Sequence, residues 1–480
     1  MVTLGFKKLY KQLNPAQKKA VDAVEGAVMV IAGPGTGKTQ ILTLRIANIL
    51  LKTQVNPENI LALTFTEAAS YEMRKRLLSI IGQDAYRVEI TTFHSFCNNF
   101  IKTHQEEFSE IISSESISEV EQIEIIEEII KNLDLFHIKP FGDLMHYVKP
   151  ALSAINNLKR ENITPKEFES GLVSMEKDLN SRDDLLNTKG KYKGEIKSSY
   201  KKLFRDIDKN KELAKVYKEY EEKLKKLKKY DYSDMILEVI KQLENHPYLL
   251  QYLQEKFQYF LIDEHQDTNS AQNKFIEILA SFFPNPNLFV VGDEKQAIYR
   301  FQGASLENFL YFKKKYPEAK LINLSENYRS TQTILDATFS VISNNNAGVE
   351  ALSESASLVK RSLHIEEKIK KAEFSSFGSE LYWVTDKIRE LLKTIKANDV
   401  AVLVRNNNDR NQLTPILDNE NIPYIIESDN NILEDLTIGK MILLLRSIEK
   451  PTEDEYMTKV MFMDNFDING IVNKDALADI

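Results

Sequence analysis

A single cysteine, Cys97, among 480 residues leaves no internal disulfide framework and no cysteine-rich metal site, and such a chain suits a reducing compartment. No apolar run of about 18 residues occurs, so no segment reads as a membrane-spanning helix. The stretch from Met1 to Pro15 lacks the apolar core of a secretory signal. The expectation is therefore a cytoplasmic protein with no membrane partner. Internal repeats and low-complexity linkers are also missing, which argues against solenoids and arrays. An overall excess of positive charge is absent as well. The formal net charge is −8, and a phosphate backbone needs local positive surface, so the sum alone does not suggest nucleic acid.

The distribution of charge says more than its total. Lys189 to Lys229 holds sixteen Lys/Arg against seven Asp/Glu, a surplus of nine that leaves about −17 for the rest. This stretch reads either as the solvated face of a helix or as a surface for a nucleic-acid backbone. At 480 residues the chain is too long for one core, and length predicts about three domains.

Hydrophobic periodicity divides the chain. The first hundred or so residues alternate apolar, strand-like runs (Val28–Ile31, Ile60–Thr64, Val88–Thr91) with helical stretches such as Thr39–Leu51 and Glu67–Ile81, the βαβ pattern of a parallel sheet. From about 105 to 230 such runs cease. This part begins acidic and ends basic, with Leu213, Val216, Tyr217, Tyr220, Leu224 and Leu227 at helical spacing. Strand-like runs return at Tyr259–Ile262 and Leu288–Val291, so a helical insertion interrupts one α/β domain. A second α/β region is expected from near Leu321, with strands at Asp399–Val404 and Ile422–Ile426, turning helical from about Ile432. The expected domains are 1–104 with 231–318 for the first core, 105–230 for the insertion, 319–430 for the start of a second core, and 431–480 for a further helical insertion.

Two motifs carry chemistry. Ala32 to Thr39 reads AGPGTGKT after the short apolar strand Val28–Ile31. Gly33, Gly35 and Gly37 let backbone N–H groups turn onto a polyphosphate, and the helix from about Lys38 presents its positive end to the same charge. Lys38 would reach the β and γ phosphates, and Thr39 would place its hydroxyl on Mg²⁺. Ala32 stands where the strict pattern has glycine, and Pro34 stiffens the loop. The second motif, DEHQDTN from Asp263 to Asn269, ends an apolar strand in two adjacent acids, which would bury charge without a partner unless a metal were bound. Asp263 would hold the Mg²⁺ of Mg·ATP. Glu264 would orient or deprotonate the attacking water.

With these residues in order, the chain resembles the UvrD/Rep/PcrA type of superfamily 1 DNA helicases. Leu13-Asn14-Pro15-Ala16-Gln17 is similar to the family's adenine-reading glutamine motif, Leu63–Thr66 and Thr92–Phe96 to two early DNA-contact motifs, and Asp231–Met235 to the segment that re-enters the first core. DEHQDTN, Val291–Ala304 and Asn327-Tyr328-Arg329-Ser330 are similar to the second, third and fourth motifs. The resemblance implies a RecA-like P-loop core followed by an incomplete second RecA-like domain. It implies Gln17 on the adenine edge, Tyr328 on the adenine face, Gln296 sensing the γ phosphate, and Arg329 reaching it from the second core as an arginine finger. Phe65, His94, Tyr299 and Phe301 align with single-strand contacts, where aromatic faces grip bases without reading sequence. For Phe65 and Phe301 core packing is the alternative.

The implied activity is ATP-driven 3′ to 5′ movement along single-stranded DNA and separation of duplex at junctions. Departures from the family pattern exist. His265 stands where an aromatic or small residue is usual, and it is assigned a structural place. After Arg405 the fifth motif, a Thr-His-Lys-Gly block, and the arginine-bearing sixth are not found. The expectation is an amino-terminal portion of a longer helicase. Two alternatives remain: a nucleotide-gated DNA-binding or scaffolding subunit of a repair or defence complex, and one component of a helicase–nuclease.

Overall fold

The computed structural model describes residues 4–138, 144–187, 192–296, 306–344 and 358–426, together with Met441, Leu444, Leu445 and Ile448. The expected contacts Tyr299 and Phe301 and the expected helical start beyond 431 lie outside the described residues, apart from those four positions.

The first core opens with helices α1 (Leu4–Gln12) and α2 (Pro15–Asp22), then strand β1 (Val28–Ala32) and α3 (Lys38–Lys52). It continues through β2 (Ile60–Thr64), α4 (Glu67–Ile81), β3 (Glu89–Thr92) and α5 (Phe93–Thr103). All five residues of β1 and of β2 are buried, as a parallel sheet covered on both faces requires. The two faces separate by alternation. Met29 and Ile31 join one core with Leu61, Leu63, Phe96 and Phe275, whereas Val28 and Val30 join another with Ile41, Ile46 and Leu77.

The insertion follows as α6 (Ser109–Ile112), β4 (Glu115–Ser116), α7 (Glu119–Asn132), α8 (Val148–Arg160), α9 (Pro165–Asn180), α10 (Ser198–Leu227) and β5 (Lys229–Tyr230). It has its own core, in which Ile126, Ile130, Ile155, Val216 and Tyr220 are buried. Glu212, buried on α10, accepts the backbone N–H groups of Phe136, His137 and Ile138 at 2.8–2.9 Å and so fixes the turn after α7. The parallel pair β4–β5 sets Glu115 beside Lys229 and Ser116 beside Tyr230, closing the insertion where it leaves and rejoins the core.

The chain returns through α11 (Asp234–Asn245), α12 (Pro247–Lys256), β6 (Tyr259–Ile262), α13 (Ser270–Ala280), β7 (Leu288–Gly292), α14 (Leu306–Lys315) and β8 (Lys320–Leu324). A six-stranded sheet results, in the order β3-β2-β6-β7-β1-β8, with every pairing parallel. Short strands β9 (Glu326–Asn327) and β10 (Val359–Lys360) flank α15 (Gln332–Ile342).

One boundary needs correcting. Leu321–Leu324, expected to open the second core at 319, is the edge strand of the first sheet, with Met29 opposite Leu321 and Ala32 opposite Leu324. Compactness divides the chain later, into Met1–Ile369 and Lys370–Ile480. In the second unit, α16 (Phe377–Leu391) and α17 (Asn407–Asn419) bury Leu381, Ile388, Leu413 and Leu417 together. The strands expected at Asp399–Val404 and Ile422–Ile426 run without regular pairing, and Leu403 and Ile425 are 94% and 85% exposed. Among the described residues no strand lies beside them to complete a ladder, so an apolar run is not by itself enough to make sheet.

Candidate functional site

The loop after β1 sits at the carboxyl edge of the sheet, where β1 lies between β7 and β8 and parallel α/β sheets open a crevice. Gly35 (φ 69°) and Gly37 (φ 91°) hold left-handed backbone, which glycine alone adopts without strain. Thr36 Oγ1 donates to Gly33 O at 2.7 Å and tightens the turn, and α3 starts directly at Lys38. The first-turn N–H groups of α3 thus have no preceding helical partner, and the helix dipole adds positive potential.

Three segments converge on this loop. Gln17, held by a reciprocal capping box with Asn14 at the start of α2, donates Nε2–H to Thr36 O at 2.9 Å. Asn327 donates to Pro34 O at 2.5 Å, and the Tyr328 N–H donates to Gly35 O at 2.9 Å. A Cβ on Gly35 would lie 2.6 Å from Cβ of Arg329, and one on Gly33 would lie 2.8 Å from Leu358. Arg329 therefore abuts the loop from the segment just after β8, which lies inside the first compact unit. The Tyr328 hydroxyl accepts from Asn14 Nδ2 at 3.1 Å and donates to Glu326 at 2.8 Å, so the tyrosine and the glutamine motif share one hydrogen-bonded corner.

The acids stand opposite. Lys38 Nζ meets Glu264 Oε2 at 2.5 Å, joining residues 226 positions apart. Glu264 has left-handed backbone (φ 48°, ψ 46°), a turn that swings its side chain off the end of β6. Asp263 is buried, and its carboxyl is pushed up to about 7, first by burial and then by the Glu264 charge, with Lys38 opposing. A buried carboxyl short of positive charge fits a cation site. Thr39 is half-buried in the first turn of α3. Asp267 is likewise pushed up, to about 6, by burial and Glu264.

A polar chain that sequence reading did not assign links these groups to the third motif. Gln266 donates to Glu264 at 2.7 Å and accepts from the Asp293 N–H at 3.0 Å, and Gln296 donates to Asp293 at 2.7 Å. Gln296 is thus joined to Glu264 through Asp293 and Gln266. Gln266, Asp293 and Asn327 all lie inside quoted motifs, which was the only signal available for them. His265 is buried, with its ring edge-on to Phe312, in keeping with a structural place.

A second recess, about 360 Å³, opens between the insertion and the first core and is lined by Phe65, His94, Arg160, Tyr232 and Asn269 among others. Phe65 is 39% exposed there and is not a core residue. The His94 ring stacks on Tyr232 with centroids 3.8 Å apart and planes 19° apart. Burial, and then the Arg160 charge, hold the His94 imidazole down at about 4, so the ring is neutral at pH 7.

The parallel sheet, the phosphate-binding loop and the paired acids define a RecA-like P-loop core. Comparison with known proteins takes this further. The family model described as UvrD/REP helicase N-terminal domain matches residues 13–317, and that described as UvrD-like helicase C-terminal domain matches 322–471. The chain therefore belongs to the UvrD/REP helicase family, and the likeness continues well past Arg405. It is 31% identical over 457 residues to the ATP-dependent DNA helicase PcrA of Staphylococcus aureus, and 33% identical over 459 residues to that of Bacillus subtilis. These alignments take in 94% of the chain but 56% and 55% of the relatives, so the chain spans little more than half their length. No described helix is long and apolar enough to cross a membrane.

Proposed function

We propose that this chain binds Mg·ATP at the AGPGTGKT loop and forms the nucleotide-hydrolysing part of a motor that tracks along single-stranded DNA, 3′ to 5′, and opens duplex at junctions. The observation that carries this reading is the meeting of Lys38 with Glu264 at 2.5 Å beneath a loop that Gln17, Tyr328 and Arg329 also approach. Mg²⁺, when bound through Thr39 and Asp263, supplies charge neutralisation at the phosphates.

The chain's own residues do the rest. Lys38 exchanges its carboxylate partner for phosphate oxygens, which releases Glu264 to orient or deprotonate a water in line with the γ phosphate. Gln296, tied through Asp293 and Gln266 to Glu264, connects the γ-phosphate end to the third motif. Arg329 stabilises charge that develops in the transition state, and Gln17 and Tyr328 hold the adenine.

ATPase assays with and without oligonucleotide test the reading. Lys38→Ala should abolish nucleotide binding. Glu264→Gln should keep Mg·ATP bound and slow turnover by roughly 10²–10⁴-fold. Arg329→Ala should lower turnover by roughly 10³-fold or more. Equal rates in these variants and the parent would refute the roles. Nucleotide binding without turnover, with or without DNA, would favour the nucleotide-gated scaffold instead.

A further inference from the structure

Behind the nucleotide loop stands a buried cation that the hydrolysis chemistry does not use. The apolar sequence of α3 is interrupted by Arg45, Asn48 and Lys52, which share one face of the helix at spacings of three and four residues. All three turn toward the end of α2. Arg45 Nη1 donates to Ala20 O at 2.9 Å and also to Ala23 O, and its Nη2 donates to Val24 O at 3.1 Å. Asn48 Nδ2 donates to Val21 O at 2.9 Å, and Lys52 meets Asp22 at 3.0 Å. Arg45 is fully buried, its guanidinium 4.3 Å from the centroid of the Phe289 ring on β7. Burial pushes its pKa down to about 9, against the electrostatic pull of Tyr259 and Glu25, so it stays charged at pH 7.

The last carbonyl oxygens of a helix have no intrahelical partner and carry the negative end of its dipole, so a guanidinium is well placed there. A planar fork of donors also fixes direction, which an apolar contact does not. α2 cannot slide or roll along α3 without breaking bonds that water is not present to replace. The other end of α2 meets the nucleotide loop, where Gln17 Nε2 donates to Thr36 O at 2.9 Å. α3 itself begins at Lys38, about two turns before Arg45. The path from Gln17 along α2 to Arg45, back along α3 to Lys38 and through the loop to Gln17 is therefore closed, and each joint in it is covalent or hydrogen-bonded.

We propose that Arg45, assisted by Asn48, is a positioning residue for nucleotide selection: it sets the spacing between Gln17 and the phosphate-binding loop, so that an adenine base and its triphosphate are engaged together. This rests on the reading of Gln17 as the adenine contact given above. Loss of the clamp costs the base increment of affinity and leaves the phosphate contacts of Lys38 and the loop in place, because those sit on α3 and its own N-terminus.

The test is equilibrium binding of ATP, GTP and inorganic tripolyphosphate, each with Mg²⁺, to the full chain by titration calorimetry. Arg45→Lys, which keeps the charge but cannot span the same carbonyls, should weaken ATP roughly 10-fold while tripolyphosphate changes by less than about 2-fold, and the preference for ATP over GTP should fall toward 1. Asn48→Ala, a milder change, should move both ratios in the same direction. In the Gln17→Ala background, where the base contact is already gone, Arg45→Lys should add little. Leu77→Ala, a cavity in the same core on α4, serves as the control: it should lower the urea midpoint and leave both ratios at the parent value. If Gln17→Ala loses the ATP preference while folded Arg45→Lys and Asn48→Ala keep it, the clamp is merely structural and the proposal is overturned, with the adenine reading intact. If the parent binds tripolyphosphate as tightly as ATP, both fall.

Discussion

Gly37 shows how little freedom the phosphate loop leaves to a single residue. Its φ of 91° is costly for any L side chain, and an added Cβ would lie 3.0 Å from Gln17 Nε2, the group that anchors Thr36. Gly37→Ala should therefore destabilise the fold by about 1–3 kcal/mol in urea unfolding and weaken ATP binding, because relief of the clash must displace Gln17. His94 makes a second prediction at this scale. The unfolded chain takes up a proton near pH 6.5, whereas the folded ring, faced by Arg160 and Tyr232 with Glu67 near the tyrosine, refuses it until about pH 4. Stability from this group is therefore lost as pH falls from 6.5 toward 4, amounting to about 2 kcal/mol by pH 5. In His94→Gln the difference in unfolding free energy between pH 7 and pH 5 should shrink by about that amount, and an unchanged difference would count against a buried neutral imidazole. Residues with a chemistry of their own, Lys38, Thr39, Asp263 and Glu264, were legible because their types and spacing constrain what they do. Gln266 and Asp293 were not, since an amide or a carboxylate reveals its role only through the partner that folding brings to it.

Among the elements, α2 is a small helix with two duties. Its Asn14 cap accepts the Gln17 N–H at 2.8 Å, and the same side chain donates to Tyr328 and Glu326 at 3.1 and 3.2 Å. Asn14→Ala should cost about 1 kcal/mol of stability from the lost cap. It should also raise the KM for ATP, because Tyr328 loses a hydrogen bond that orients it; Asn14→Ser, which keeps a cap but cannot reach as far, should recover stability more than KM. Strand β8 marks the limit of element-level reading. The apolar run at Leu321 announced a strand, but nothing in it says that Met29, almost 300 residues earlier, is its neighbour. The segments at 400–404 and 422–426 mark the converse limit, since a strand-like pattern records a preference for a ladder and not the presence of one.

For the molecule as a whole, the basic stretch proves less available than its composition implied. On α10 and just after it, Lys211 pairs with Glu176 at 2.8 Å, Lys223 with Glu128, and Lys229 with Glu115 and Glu121 at 3.2 and 3.1 Å. Part of the local surplus therefore serves to hold α7, α9 and α10 together. DNA affinity should fall steeply with salt, but Lys211→Gln and Lys223→Gln should leave the salt slope unchanged, because those charges already have partners. A slope reduced by either variant would assign the insertion's long helix to the nucleic-acid surface.

The short parallel pair β4–β5 carries a consequence for how such a chain diversifies. Because Glu115 and Lys229 stand side by side, the two cut ends of the sheet domain are only one strand spacing apart, about 4.8 Å, and more than a hundred residues hang from that narrow neck. Whatever is spliced there need only present two adjacent termini. The inserted helices can thus be exchanged as one unit while the sheet beneath keeps its pairings, provided that the newcomer brings a cation, as Lys159 does here, to satisfy Asp231 and Asp234.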